Sequence, residues 1–204
     1  LAVFFFLIFL FYTASGGMWT VAWGDLVNTG MIIIGLFIGG YIVLDLVGGW
    51  QIMWQKISFM TAPPVTTAKP IAPGAMLDPI GSFGGTTLLG IFLANFLGGA
   101  VGPHHTARMM GSRNIKTAML MAVYGLGLIF ICFIPILILG LGGRALIGTM
   151  PAGKGSDWLI PLLLTQYINP FIAGIILAAI LAAALSTANA MLLHNALAIT
   201  YDIW

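Results

Sequence analysis

One run near the end of the chain constrains everything before it. From Asn169 to Trp204 it reads NPFIAGIILAAILAAALSTANAMLLHNALAITYDIW. Phe171 to Leu185 is apolar and uncharged, and Ser186, Thr187 and Asn189 then fall in the middle of the run. An apolar stretch of this length is what a membrane-crossing helix needs. A bilayer core has no water to satisfy a polar side chain, so a mid-span Ser-Thr-x-Asn requires a protein partner or a ligand. Asn169 and Pro170 are the residue types that cap and begin a helix, Asn at the N-cap and Pro at the first helical position.

Composition extends this reading to the whole chain. Of its 204 residues 60% are apolar and 6% are charged, against about 25% charged in soluble domains. The 27 glycines fit transmembrane helices, which use glycine more freely than soluble ones. The class is an all-α polytopic membrane protein. The net charge of +2 is too small and too dispersed to indicate nucleic acid as a partner. A single cysteine, Cys132, excludes an internal disulfide and reads as a small core residue.

Spans are expected over 1–14, 21–47, 84–102, 115–141 and 169–200, with an extramembrane loop at 51–83 and a loop with a short helix at 142–168. The first span has no basic segment before it, so it reads as the second half of a membrane helix rather than a signal peptide, and the chain as a fragment of a larger protein. Gly16-Gly17 marks a turn within 12–24. Gly35, Gly39 and Gly40 give the second span a small-residue face for close packing. Asp45, near its far end, reads as interfacial, and Trp50 and Trp54 as headgroup-level aromatics. Pro63, Pro64, Pro70, Pro73 and Pro79 forbid a continuous helix through the long loop.

The third span holds Asn95 mid-way, and Gly98, Gly99, Gly102 and Pro103 follow closely. Such density favours unwound backbone, and short Gly/Pro-interrupted spans mark transporter binding sites. The competing expectation is a helix that simply ends at Gly98. Arg108, Arg113 and Lys116 cluster in a short turn, which places that turn in the cytoplasm by the positive-inside rule. Pro135 is expected to kink the fourth span.

Ala183, Ser186 and Thr187 stand at i, i+3 and i+4 and share one helix face. Two hydroxyls and a backbone carbonyl form part of an oxygen site. With no carboxylate nearby in sequence, a monovalent cation fits better than Ca²⁺ or Mg²⁺. The alternative is that both hydroxyls bond back to the carbonyls of Ala182 and Ala183. Enzymatic readings find no support. Ser186 and His194 lie eight residues apart on one helix, about 12 Å along its axis, which is no nucleophile–base pair. His104 and His105 lack further ligands at metal spacing. No phosphate loop or dinucleotide fingerprint is present, and no cofactor is expected.

Three stretches together resemble the sodium:solute symporter family. YTASGGMWTVAWGDLVNTG at 12–30 looks like its Tyr-Thr…Gly-Gly…Thr-Asp…Gln hairpin. GPHHTARMMGSRN at 102–114 is similar to its Pro-His-x-x-x-Arg. The run at 169–204 resembles its Pro-x-x-x-Gly…Ala-Ala…Ser-Thr…Leu-Leu…Asp pattern almost end to end. Among subfamilies the sodium/pantothenate symporters look most similar, on Ser-Thr-x-Asn-Ala at 186–190, Ile160-Pro161 after Asp157, and Gly143-Arg144-Ala145.

The resemblance implies a fragment of an inverted five-helix-repeat fold working by alternating access. It implies a multi-pass protein of the plasma membrane that takes up a small organic solute with Na⁺, pantothenate or a related monocarboxylate being favoured. Another organic solute, such as an amino acid, and a non-transporting membrane subunit remain alternatives. It further implies that the Ala183 carbonyl and the Ser186 and Thr187 hydroxyls supply half of a Na⁺ site, completed by an earlier helix of the same protein. Asn95, Gly99 and Pro103 would line the substrate cavity. The chain departs from proline-transporting members at Asn95 and Gly99, where those carry aromatics, and at Gly102 and Met191, where glutamine is usual. Asp25 follows Gly24 instead of threonine, and Asn28 replaces glutamine.

Overall fold

The computed structural model describes residues 2–60, 73–74, 77–78, 80, 84–102, 109, 111–148, 150 and 155–203, with backbone alone for 2–10, 12–15, 100–101 and 201–202. Among the described residues every regular element is helical. Three stretches are long and apolar enough to cross a membrane, Gly16–Val47, Ile115–Ile147 and Pro170–Ala198.

Helix α1 (Ala2–Val47) is two helices joined at Gly17, whose φ of 53° and ψ of −143° break the ladder. Only glycine adopts such a conformation without a clash at Cβ. The turn expected over 12–24 is therefore a one-residue break with helix on both sides. At the other end Gly48 and Gly49, both with positive φ, let the chain leave α1. Their amides donate to Asp45 O at 3.0 Å and Leu44 O at 2.8 Å.

Helix α2 (Trp50–Phe59) follows at once. Lys56 donates to Val47 O at 3.4 Å, a cation at the negative end of α1. Trp50 and Trp54 pack edge to face, with centroids 5.3 Å apart. The stretch expected as an extramembrane loop from 51 onwards thus opens with a helix, in which Met53 and Ile57 are fully buried. Their four-residue spacing forms one apolar stripe that docks on the bundle. Of the five loop prolines, only Pro73 lies within the described residues.

Helix α3 (Gly85–Val101) is the short third span. Helix α4 (Ile115–Leu137) begins at Asn114, whose side chain accepts from Thr117 N at 2.8 Å. Pro135 lies inside α4, and a π turn over Ile138–Gly142 follows before α5 (Gly143–Ile147). A ladder short of one donor at proline accommodates such a widened turn. The apolar helix thus continues past the expected end at 141. A 3-10 turn (Ser156–Trp158) leads into α6 (Leu159–Gln166), which buries Leu162, Leu163 and Leu164. Helix α7 (Pro170–Ala198) starts as the sequence reads, with Asn169 accepting from Phe171 N at 2.9 Å and Pro170 in the first turn.

Helices α1 and α7 form the most extensive contact and run antiparallel. A side chain on Gly35 would collide with Ala179, and one on Gly39 would meet Ile176 and Leu139 at 3.2 Å. One on Gly40 would press on Pro135 of α4 at 3.1 Å. The expected small-residue face is therefore what lets three backbones approach. The core lies at this end, where Val43, Met53, Ile57 and Leu163 are fully enclosed between α1, α2 and α6. On their outer faces α4 and α7 present large exposed apolar side chains such as Ile115, Phe130 and Phe171, as expected of surfaces that face lipid or further helices.

Candidate functional site

Towards the other end of the α1–α7 seam the apolar contact gives way to polar groups. Ser186 donates to Asp25 Oδ1 at 2.8 Å, joining positions 161 residues apart. Both residues are half-buried. Asp25 lies two turns beyond the Gly17 break, on the same helical half as Gly35 and Gly39, whose close packing on α7 brings its carboxylate to that helix. Thr29 donates to the Asp25 backbone carbonyl at 2.7 Å, bracing the same turn. One turn beyond Ser186, Asn189 is only 3% exposed, the one buried polar side chain among the described residues.

The two hydroxyls of the predicted site behave differently. Thr187 bonds back to Ala183 O at 3.2 Å, as the alternative reading expected, whereas Ser186 reaches across to Asp25. Each hydroxyl thereby spends its proton and leaves oxygen lone pairs free to meet a cation. The Ala183 carbonyl has a second lone pair beyond the one Thr187 uses. Ala183 and Thr187 are exposed, so the face that would take further ligands is open. The expectation that no carboxylate is nearby is corrected here, since sequence proximity excluded Asp25 and tertiary packing supplies it. A single carboxylate with neutral oxygens balances one positive charge, which still favours a monovalent ion over a divalent one. No group of three or more His, Cys, Asp or Glu capable of holding a metal occurs among the described residues.

The predicted solute residues are placed otherwise. Asn95 lies on α3 and donates to Ile91 O at 2.8 Å within its own helix. Helix α3 stays regular through Gly98 and Gly99 and ends at Val101. The expectation of unwound backbone there, and that of an end at Gly98, are both corrected. Two adjacent glycines cost about 1 kcal/mol each relative to alanine, too little to break a ladder that low-dielectric surroundings strengthen. Residues 91–99 are exposed and line no described cavity. Pro103 lies outside the described residues.

A cavity of about 530 Å³ opens beside the Asp25–Ser186 bond, between α1, α7 and the segment leading into α4. Trp19, Asp25, Ser112, Met121, Leu193 and His194 are among its lining. A second cavity of about 540 Å³, near Pro170 and Phe171, is lined by apolar side chains and Gly174. Asp25 and His194 were not chosen as site residues from sequence. An ionisable residue within an apolar span marks a functional site by default, and that signal applied to Asp25.

A bundle of apolar helices with a carboxylate and a hydroxyl meeting between spans, and a second hydroxyl one residue further on, defines a membrane protein with an intramembrane polar site. The chain belongs to the sodium:solute symporter family, whose sequence model matches residues 1–204. The members of this family are transporters rather than enzymes. The chain is 29% identical over 200 residues to the sodium/proline symporter of Escherichia coli strain K12, covering 96% of the chain and 37% of that protein. It is 29% identical over 201 residues to the sodium/proline symporter of Haemophilus influenzae, covering 95% and 38%. It is 27% identical over 194 residues to the sodium/pantothenate symporter of the same organism, covering 95% and 37%. The chain therefore spans little more than a third of the relatives it matches, and the likeness does not separate the two solutes. No solved structure matches it.

Proposed function

We propose that the protein to which this chain contributes is a sodium-coupled symporter of the plasma membrane that moves a small organic carboxylate by alternating access. The observation that carries the reading is the hydrogen bond from Ser186 to Asp25 within an apolar seam. It sets hydroxyl and carboxylate oxygens together where an unpaired charge is costly and a cation would be held. Ala183, Ser186 and Thr187 contact Na⁺, and Asp25 supplies the balancing charge through Ser186. Further ligands enter on the open side of Ala183 and Thr187, from other helices of the same protein.

Pantothenate or a related monocarboxylate is the favoured solute on the motif likeness, with proline the second reading from the names of the relatives. Asn95, Gly99 and Pro103 are assigned to the solute pathway on the resemblance alone. The drive is bounded. A tenfold Na⁺ gradient supplies about 1.4 kcal/mol, and each net charge moved through 100 mV adds about 2.3 kcal/mol. A monoanion carried with one Na⁺ forgoes the second contribution. Na⁺ binding shifts the equilibrium between access states only by its differential affinity for them. Uptake of labelled pantothenate and proline into proteoliposomes holding the intact protein, with and without a Na⁺ gradient, tests the reading. Gradient-independent accumulation of both would overturn it.

A further inference from the structure

The cavity beside the Asp25–Ser186 bond contains a second ionisable group that the sodium reading does not use. His194 stands two helical turns beyond Ser186 on α7, in the cavity wall that also includes Asp25. Its Nδ1 is buried and has no hydrogen-bond partner among the described residues. A histidine serving only structure would have that nitrogen satisfied, because a buried unpaired polar atom costs about 1–3 kcal/mol. Histidine is also the side chain that changes charge in the physiological range.

The described surroundings add little competing charge. Among the described residues, the titratable groups lining the cavity are Asp25 from α1 and His194 from α7. Arg113 and Lys116, on the segment that brings Ser112 to the cavity, are exposed, where water screens them. Apolar side chains fill most of the remaining wall, including Val21, Met121, Leu193 and Leu197, so a charge on His194 is felt across the cavity.

We propose that His194 is a proton-binding site that opposes cation binding at Ser186 and Asp25, so that protons and Na⁺ compete without sharing ligands. The neutral imidazole takes one proton to become imidazolium, with no other bond made or broken. The positive charge then repels a cation held on the same seam, and by linkage bound Na⁺ disfavours the proton equally. This inference rests on the sodium reading above.

The test is equilibrium binding of radioactive Na⁺ to the purified intact protein at about pH 5.5 and about pH 8, which bracket the range where histidine changes charge. Wild type is expected to bind about tenfold more weakly at the lower pH. That is the Coulomb effect of two unit charges about 12 Å apart at an effective dielectric constant of about 20. His194→Gln should bind as wild type does at the higher pH and lose the difference between the two. His194→Arg should bind weakly at both, with thermal unfolding confirming that each variant is folded. If His194→Gln unfolds, His194→Asn takes its place. A tenfold pH effect that persists in the neutral variant, or none in wild type, overturns the proposal. Absence of Na⁺ binding by wild type at either pH overturns the sodium reading itself, and this inference falls with it.

Discussion

Ser186 Oγ lies 2.8 Å from Asp25 Oδ1, and this contact ties the second helical half of α1 to the middle of α7. Hydrogen bonds to charged groups contribute about 1.5–3 kcal/mol. Asp25→Asn keeps the shape and removes the charge proposed to balance a cation. In the intact protein it should raise the Na⁺ concentration for half-maximal uptake by about tenfold or more, corresponding to at least about 1.4 kcal/mol. Ser186→Ala should do likewise, and the double variant should show less than the sum, since both act through one contact. Additive effects in the uptake cycle would show that the two residues act separately.

Thr187 isolates the proposed ligand role from packing. Its side chain is exposed on this chain and bonds only to Ala183 of its own helix among the described contacts. Thr187→Ala therefore removes one oxygen while leaving the α1–α7 seam intact. The expected outcome is a raised Na⁺ requirement with membrane abundance unchanged, whereas Thr187→Ser, which keeps the hydroxyl, restores the wild-type requirement. Uptake measured over a Na⁺ titration, beside immunoblots of the membrane fraction, separates the two effects.

The seam makes its own prediction. Gly35 has no room for a side chain against Ala179, while Gly30, one and a half turns earlier, has open space around it. Gly35→Val should destabilise the fold by about 1–3 kcal/mol through overpacking, seen as a melting temperature lower by several degrees in detergent. Gly30→Ala should be neutral or slightly stabilising, since alanine is the better helix former by about 1 kcal/mol. Equal losses at both positions would mean that glycine content, not helix approach, matters here.

The parts legible in sequence were those set by neighbours along the chain. Asn169-Pro170 announced the start of α7, and the apolar runs announced the long helices. The i, i+3, i+4 spacing put Ser186 on one face with Ala183 and Thr187. What escaped were relations made by packing. Asp25 and Ser186 are 161 positions apart, so the carboxylate could not be assigned to the site from spacing. The burial of Met53, Ile57 and Leu163 depends on α2 and α6 folding back on the end of α1, which composition does not reveal. At Gly98-Gly99 local propensity pointed towards a break, but the helix persists because forgoing backbone hydrogen bonds in an apolar medium costs more than two glycines do.

Gly17 should act as a fixed joint. Its φ of 53° with ψ of −143° lies where a Cβ brings strain of about 1–3 kcal/mol, although nothing near it would collide with the new methyl. Gly17→Ala should therefore lower stability, or straighten α1 and carry Asp25 away from Ser186. The second outcome would appear as a raised Na⁺ requirement with little change in melting temperature. A variant indistinguishable from wild type in both measurements would show that the break contributes nothing to the site.

Asn95 decides whether α3 belongs to the solute pathway. Here its side-chain amide is used within the helix, donating to Ile91 O at 2.8 Å, and the surrounding face is exposed and apolar. A polar group retained on such a face is expected to meet either solute or another helix once the rest of the protein surrounds it. If it meets solute, Asn95→Ala should raise the KM for uptake severalfold while the Na⁺ requirement measured at saturating solute stays put, because the proposed ion ligands lie on α7. If it meets another helix, stability should fall and the KM should not move. Paired kinetics and melting curves on the same variant distinguish these, and an Asn95→Ala protein unchanged in both would leave Asn95 as a residue whose hydrogen bond is wholly internal to α3.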